Sequence, residues 1–367
     1  MSRIEDIGRP ELLTLAPYVP GKPIEEVERE FGITGVIKLA SNENPLGPSP
    51  SVIETLKAAA PRVFNYPDSN CFNLKREIAP LFGLQEDNFI FGNGADELIK
   101  IIGETFLNPE DEIIYGWPTF SEYIFVCKLM GAKPCAVPLT DFRYDLKKIA
   151  EQVSERTKLI FICNPNNPTG TILDEQEMRA FFEMIPSDVV VVVDEAYHEY
   201  VIDPGHSSAV ELINNKRTIV LRTFSKIYGL AGLRIGYAIA SPEIIALLNR
   251  VREPFNVSML AQEAAVTALQ DQSHVRQSKE LVIEGKRYLY QEFERLGLDY
   301  VPSETNFIFV NINRDSREVF TALLKEGVII RTGDIFDYPN YIRVTVGTPE
   351  QNNRFIVCLE KVMKELA

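Results

Sequence analysis

Histidine is scarce in this chain, and none of the three, at 198, 206 and 274, is spaced as a metal ligand. Zinc chemistry and Ser-His-Asp chemistry therefore have little to build on. The five cysteines, at 71, 127, 135, 163 and 358, are odd in number and scattered, with no C-x-x-C pair. A disulfide framework is not expected, and a reducing cytoplasm is the simplest setting. No apolar run approaches the roughly 20 residues that span a bilayer. The opening "MSRIEDIGRP" lacks the apolar core of a secretory signal. Positive charge is also short: 38 Lys and Arg stand against 52 Asp and Glu, a net charge of −14. That balance argues against a phosphate-backbone binder, which needs clustered cations. No glycine-rich turn ends in the GK[ST] of a Walker loop. There is no internal repeat and no low-complexity linker.

What is present is a chain of 367 residues, 45% of them apolar, long enough for a large core and two domains. Strand and helix patterns alternate from about 74 to 255. "NFIFGNGADELIKIIGETFL" reads as strand, glycine turn and helix. "DEIIYG", "KPCAVPL", "TKLIFICN", "DVVVVVDEAY", "TIVLRTF" and "RIGYAIA" read as strands, and "LKREIAPLFG", "TFSEYIFVCKLMGA" and "DEQEMRAFFEMI" as helices. The all-apolar "VVVVV" suits a sheet covered on both faces. This pattern predicts an α/β domain with a largely parallel, mixed sheet flanked by helices, over 46–255. After "VREPFNVS" long helical stretches and a few strands predict a smaller α+β domain, made from 256–367 with 1–45 packed on it.

In doubly wound sheets ligands bind beyond the carboxyl ends of the strands, and polar groups gather at those predicted ends. Asn164 to Gly170 follow "LIFIC", Asp194 follows five valines, Ser225 and Lys226 follow "IVLRTF", and Gly92 to Ala95 follow "NFIF". Asp194 is read either as a cap on the next element or as a buried carboxylate that needs a cationic partner. The glycines before "ADELI" leave amides free at a helix start, where an anion is favoured, and Ser225 and Arg234 could add donors there. Lys226, at a strand end among small residues, is either a charged loop residue or an amine presented into a cleft for covalent chemistry. Tyr197 alone reads as a packed aromatic, Arg331 and Arg343 as solvent-facing or site residues, and His198 as structural.

The ordered set of motifs carries a resemblance. "SK" with "GLAGLRIGY", preceded by "NPNNPTG" and "DEAYHEY", resembles fold-type-I pyridoxal-phosphate aminotransferases. "PYVPGKPIEEVEREFGI", "KLASNENPLGPSP", "NYPD", "GNGADELI" and "YIRVTVGT" narrow the resemblance to the histidinol-phosphate aminotransferases, from about residue 12 to the end. The resemblance implies pyridoxal 5'-phosphate as cofactor, bonded by Lys226. It implies that Asp194 pairs with the ring nitrogen, and that Tyr197 and Asn167 bond the ring oxygen. Ala95, Asp96, Thr223, Ser225 and Arg234 match the phosphate cup, and Phe120 matches an aromatic stacked on the ring. Tyr66 matches a tyrosine that reaches the phosphate of the neighbouring subunit, so a homodimer is implied. Tyr18, Asn167, Arg331 and Arg343 match the substrate end. The implied reaction moves an amino group between L-histidinol phosphate and 2-oxoglutarate. An aromatic-amino-acid aminotransferase, a phospho-amino-acid decarboxylase and a cofactor-free binding protein on the same fold are the alternatives. The intact Lys226, Asp194 and Arg234 speak against the last.

Overall fold

The computed structural model describes residues 7–15, 21–214 and 217–366. After a two-residue strand β1 (Ile37–Lys38), seven strands build one sheet. They are β2 (Phe89–Gly92), β3 (Glu112–Trp117), β4 (Lys133–Pro138), β5 (Thr157–Cys163), β6 (Val190–Asp194), β7 (Thr218–Thr223) and β8 (Gly236–Ala240). Their order in space is β2-β8-β7-β6-β5-β3-β4. Only β8 is reversed, pairing antiparallel with both β7 and β2. The other pairings are parallel, so the sheet is mixed and mostly parallel, as the alternation predicts.

Helices cover both faces, and β6 at the centre is buried at all five positions. Each buried valine there is worth roughly 1.5–3 kcal/mol against an exposed one, which makes an uninterrupted valine run the natural middle strand. β4 carries Lys133, Pro134 and Pro138 and lies at the edge, mostly exposed, where missing N–H groups and charge discourage further pairing. Helix starts are marked chemically. Asp174 and Glu177 form a reciprocal cap on Glu175–Met184, and Thr348 and Gln351 do the same for Pro349–Glu365, each satisfying otherwise unpaired N–H groups.

The second part adds β9 (Tyr300–Val301), β10 (Phe307–Asn311), β11 (Val328–Ile329), β12 (Arg331–Thr332) and β13 (Tyr341–Thr345). β12-β13-β10-β9 form an antiparallel sheet, while β1 and β11 pair in parallel. Val27 of helix Ile24–Phe31 packs with Leu324 and Ile329 on this side. The packing differs from the expected boundary at 255. Ala261, Ala264, Ala265 and Ala268 of helix Met259–Gln270 lie in the large core, with Val282. Leu289 and Phe293, farther along helix Gln272–Leu296, lie in the small one. We infer that the division runs through this 25-residue helix, because small alanine faces let Met259–Gln270 sit close against the large unit. Among the described residues no helix is long and apolar enough to cross a membrane.

Candidate active site

Because the parallel strands point the same way, Gly92, Asp194 and Thr223 finish on one edge of the sheet, and β8 starts beside them just after Arg234. A cleft of about 730 Å³ opens there, roofed by residues of β12, β13 and the loop between them. A larger groove of about 830 Å³ lies at the opposite strand ends. It holds none of the candidate residues.

Lys226, half-buried, reaches into the cleft just beyond β7. Its Nζ donates to the Ser41 carbonyl at 3.2 Å and stands 5.6 Å from the centre of the Tyr197 ring. Loss of solvent, followed by the nearby Arg343 guanidinium, lowers its pKa from 10.5 to about 8. Asp194, at the end of β6, is 3% exposed. One carboxylate oxygen accepts from the Tyr123 hydroxyl at 2.7 Å, the other from the Ala196 N–H at 3.1 Å. Among the described residues no Lys, Arg or His pairs with it, and burial raises its pKa to about 6 despite those two donors. A carboxylate so held is short of one cation.

The turn Gly92–Gly94 leads into helix Ala95–Phe106, whose start faces the cleft at Ala95 and Asp96. Gly94 has φ +84°, and a Cβ on it would overlap the Arg234 guanidinium. Arg234 is itself left-handed, at φ +51°, a conformation that an arginine adopts only when its surroundings impose it. It pairs with Asp96 at 2.9 Å. Thr223 and Ser225 line the same end, and the Ser225 N–H donates to the Thr223 hydroxyl at 3.0 Å. Amides at a helix start, hydroxyls and one guanidinium are the kinds of donor that suit an anion.

On the other side Asn167, in the loop after β5, accepts from Arg343 Nη1 at 2.6 Å. Arg343 also donates to the Ala40 carbonyl at 2.6 Å and is 7% exposed on β13, in register with Arg331 on β12. Two guanidiniums therefore share one sheet face beside the cleft. Phe120 lines it and meets Tyr123 edge-on at 5.8 Å. Tyr66 lies elsewhere, 83% exposed and stacked on Phe255 at 4.8 Å. Tyr18 lies outside the described residues. His198 lies against His206, its Nδ1 3.1 Å from His206 Nε2, and burial lowers its pKa to about 3, which leaves it neutral and structural.

Two contributors escaped the sequence reading. Asn42, 1% exposed, donates to the Tyr197 hydroxyl at 2.9 Å, and its backbone N–H donates to Thr345. Its φ of +56° suits asparagine, which tolerates the left-handed region. The sequence signal was its place between two other polar residues in "SNEN". Tyr123, which holds Asp194, was hidden in a helix pattern.

A half-desolvated amine, a buried carboxylate short of a cation and the donors at a helix start face one cleft, an arrangement suited to covalent chemistry on an anionic carbonyl compound. The chain matches the family model described as aminotransferase class I and II over residues 34–359, and it belongs to that family. It is 55% identical over 97% of its length to a histidinol-phosphate aminotransferase of Moorella thermoacetica, covering 92% of that protein. To one of Caldicellulosiruptor saccharolyticus it is 49% identical over 97% of its length, covering 99% of that protein. The solved histidinol-phosphate aminotransferase of Sinorhizobium meliloti, in complex with pyridoxal-5'-phosphate, superposes with a TM-score of 0.91 at 27% identity, over 98% of each chain. Within its class, the chain belongs to the histidinol-phosphate aminotransferases.

Proposed function

We propose that the protein is a pyridoxal-phosphate-dependent transaminase that moves the amino group of L-histidinol phosphate to 2-oxoglutarate, in histidine biosynthesis. The observation that carries this reading is Lys226 and Asp194 facing one cleft, the amine stripped of part of its solvent and the carboxylate without a cation. A pyridine nitrogen that keeps its proton is the partner Asp194 lacks, so the residues fit the cofactor. When bound, pyridoxal phosphate supplies a conjugated ring that draws electrons from the substrate's α-carbon.

The protein's own groups do the rest. Asp194 holds a proton at the ring nitrogen. Tyr197 and Asn167 would donate to the ring oxygen, and Phe120, which lines the cleft, would pack against the ring. The amides of Ala95 and Asp96, the hydroxyls of Thr223 and Ser225, and Arg234 hold the phosphate. Lys226 would hold the cofactor covalently, and its free amine would take the substrate's α-proton as a general base. Arg331 and Arg343, with Asn167 and Tyr18, bind the substrate's anionic ends. A panel of donors tests the reading: histidinol phosphate, histidinol and aromatic amino acids, each with 2-oxoglutarate. Preference for the phosphorylated amine is expected. An aromatic amino acid as the best donor, or release of carbon dioxide, would overturn it.

Two consequences follow for single groups. Replacing Arg343 with alanine should raise KM for both substrates, by roughly 2–5 kcal/mol of lost binding, far more than it weakens cofactor binding. Unchanged KM values in steady-state assays would take Arg343 out of the substrate site. The lowered pKa of Lys226 has a sign that can be read directly. Only the free amine bonds an aldehyde, so capture of pyridoxal phosphate by the apo-protein should quicken as pH rises and level off above about 8. Stopped-flow absorbance measures this. A rate that climbs on to pH 10 would mean an ordinary lysine.

We also propose a cytoplasmic homodimer. All five cysteines are free, which suits a reducing compartment. Val63, Phe64 and Tyr66 are exposed at 61%, 82% and 83% on one short segment, an apolar face suited to a second copy. Tyr66 would then complete the partner's phosphate site. Mixed dimers of Tyr66→Ala and Lys226→Ala chains should regain activity, since the chain that keeps its lysine receives an intact Tyr66. Mixed dimers no more active than the separate variants would confine Tyr66 to its own chain.

A further inference from the structure

Lys286 has no place in the chemistry above, yet it is 4% exposed. It sits on helix Gln272–Leu296 where that helix passes from the large core to the small one. The preceding Gly285 brings the helix close to Val346, which a Cβ would overlap. Among the described residues no carboxylate lies within ion-pair distance of the ammonium. Its hydrogen bond goes to the Ser303 carbonyl at 2.5 Å, and burial lowers its pKa to about 8. Holding a cation on a neutral carbonyl in the interior is costly, so what that carbonyl does matters.

The peptide group between Ser303 and Glu304 works at both ends. Its carbonyl takes the Lys286 ammonium, and its N–H donates to the Gly170 carbonyl at 2.8 Å. A charge on the carbonyl polarises the peptide and strengthens the bond its N–H makes. Gly170 closes the loop after β5, donating to the Asn166 carbonyl at 2.8 Å. It has φ +75°, and a Cβ would collide with Ser303. The two segments are thus fitted against each other, and the loop they fix carries Asn167, which accepts from Arg343 in the cleft.

We propose that Lys286 is a positioning residue: through the Ser303–Glu304 peptide and Gly170 it sets the Asn167 loop against Arg343 and the cofactor site. The proposal rests on the transaminase reading of that site. It differs from a purely structural lysine, which would stabilise the fold without a preferred route to Asn167.

A double-mutant cycle separates the two. Lys286→Met keeps most of the length and removes the charge. It should lower kcat about 10- to 100-fold, since small misplacements of site groups cost that much. It should also raise the dissociation constant of pyridoxal phosphate about tenfold, read by titrating the apo-protein spectroscopically. In an Asn167→Ala background the same substitution should change neither quantity more than about twofold. Losses that simply multiply, or no loss in the single variant, would overturn the proposal. If Lys286→Met does not fold, Lys286→Gln takes its place in the cycle, with the same outcomes deciding. A wild-type protein without transaminase activity would sink the functional reading instead, while the cofactor-affinity cycle would still judge Lys286.

Discussion

Replacing Lys226 with alanine is expected to remove transamination, by at least about 10³-fold, because the proposed function gives this one side chain two duties. The amine lies in the cleft against the Ser41 carbonyl and the Tyr197 ring, and its pKa near 8 leaves a usable fraction unprotonated at neutral pH. Alanine removes both the bond to the cofactor and the group that moves the α-proton. Lys226→Arg should fail as well, since a guanidinium stays charged and cannot act as base or nucleophile. Borohydride reduction of the loaded wild-type protein should fix the cofactor on the peptide that contains Lys226, and on no peptide of the variant. A thermal melt of the apo-variant near that of wild type would show that the loss is chemical. Label on another lysine, or an alanine variant with a tenth of the activity, would end the assignment.

The candidate site was readable where the fold is local. A parallel strand reads as a mostly apolar run with polar residues at or just past its end, so Asp194, Lys226 and the Asn164 loop could be placed at strand ends from the sequence. The reversal of β8 was also within reach. Twelve residues, Phe224 to Ile235, join β7 to β8 without an α-helix, and a parallel crossover needs a dozen or more residues and usually a helix. Asn42 and Tyr123 were hidden for a different reason. Their partners lie far along the chain, Thr345 303 residues from Asn42 and Asp194 71 residues from Tyr123, and no periodicity encodes such pairings. The division between the cores is not legible in the sequence, because an alanine-rich helix does not say which core it faces. Helix Pro50–Ala59 was passed over, although Ser49 caps it and Pro50 begins it, both start signals.

Asp194→Asn should lower kcat on the order of 10²–10³-fold, the usual cost of losing one group that stabilises developing charge, and yet stabilise the apo-protein. The carboxyl's pKa is raised in the folded chain to about 6 from 3.8, so the native state disfavours the charged form. Well above pH 6 this costs the apo-protein ~3 kcal/mol, at 1.36 kcal/mol for each pKa unit. As pH falls through 6 the native carboxyl takes up a proton, the cost shrinks, and below about 3.8 it is gone. An amide carries no charge at any of these pH values. It keeps an acceptor for the Ala196 N–H and turns its NH2 toward the Tyr123 oxygen, which can accept. The apo-variant should therefore be more stable than apo wild type at pH 8, by up to ~2–3 kcal/mol, with the gap narrowing toward pH 4. Pyridoxal phosphate should reverse the order, because only the carboxylate gains a cation from the ring nitrogen. Denaturant melts of both proteins at several pH values, with and without cofactor, measure all four corners. If the apo-variant is no more stable at pH 8 and the cofactor stabilises both proteins equally, the carboxylate has its cation from within the chain and Asp194 does not face the ring nitrogen.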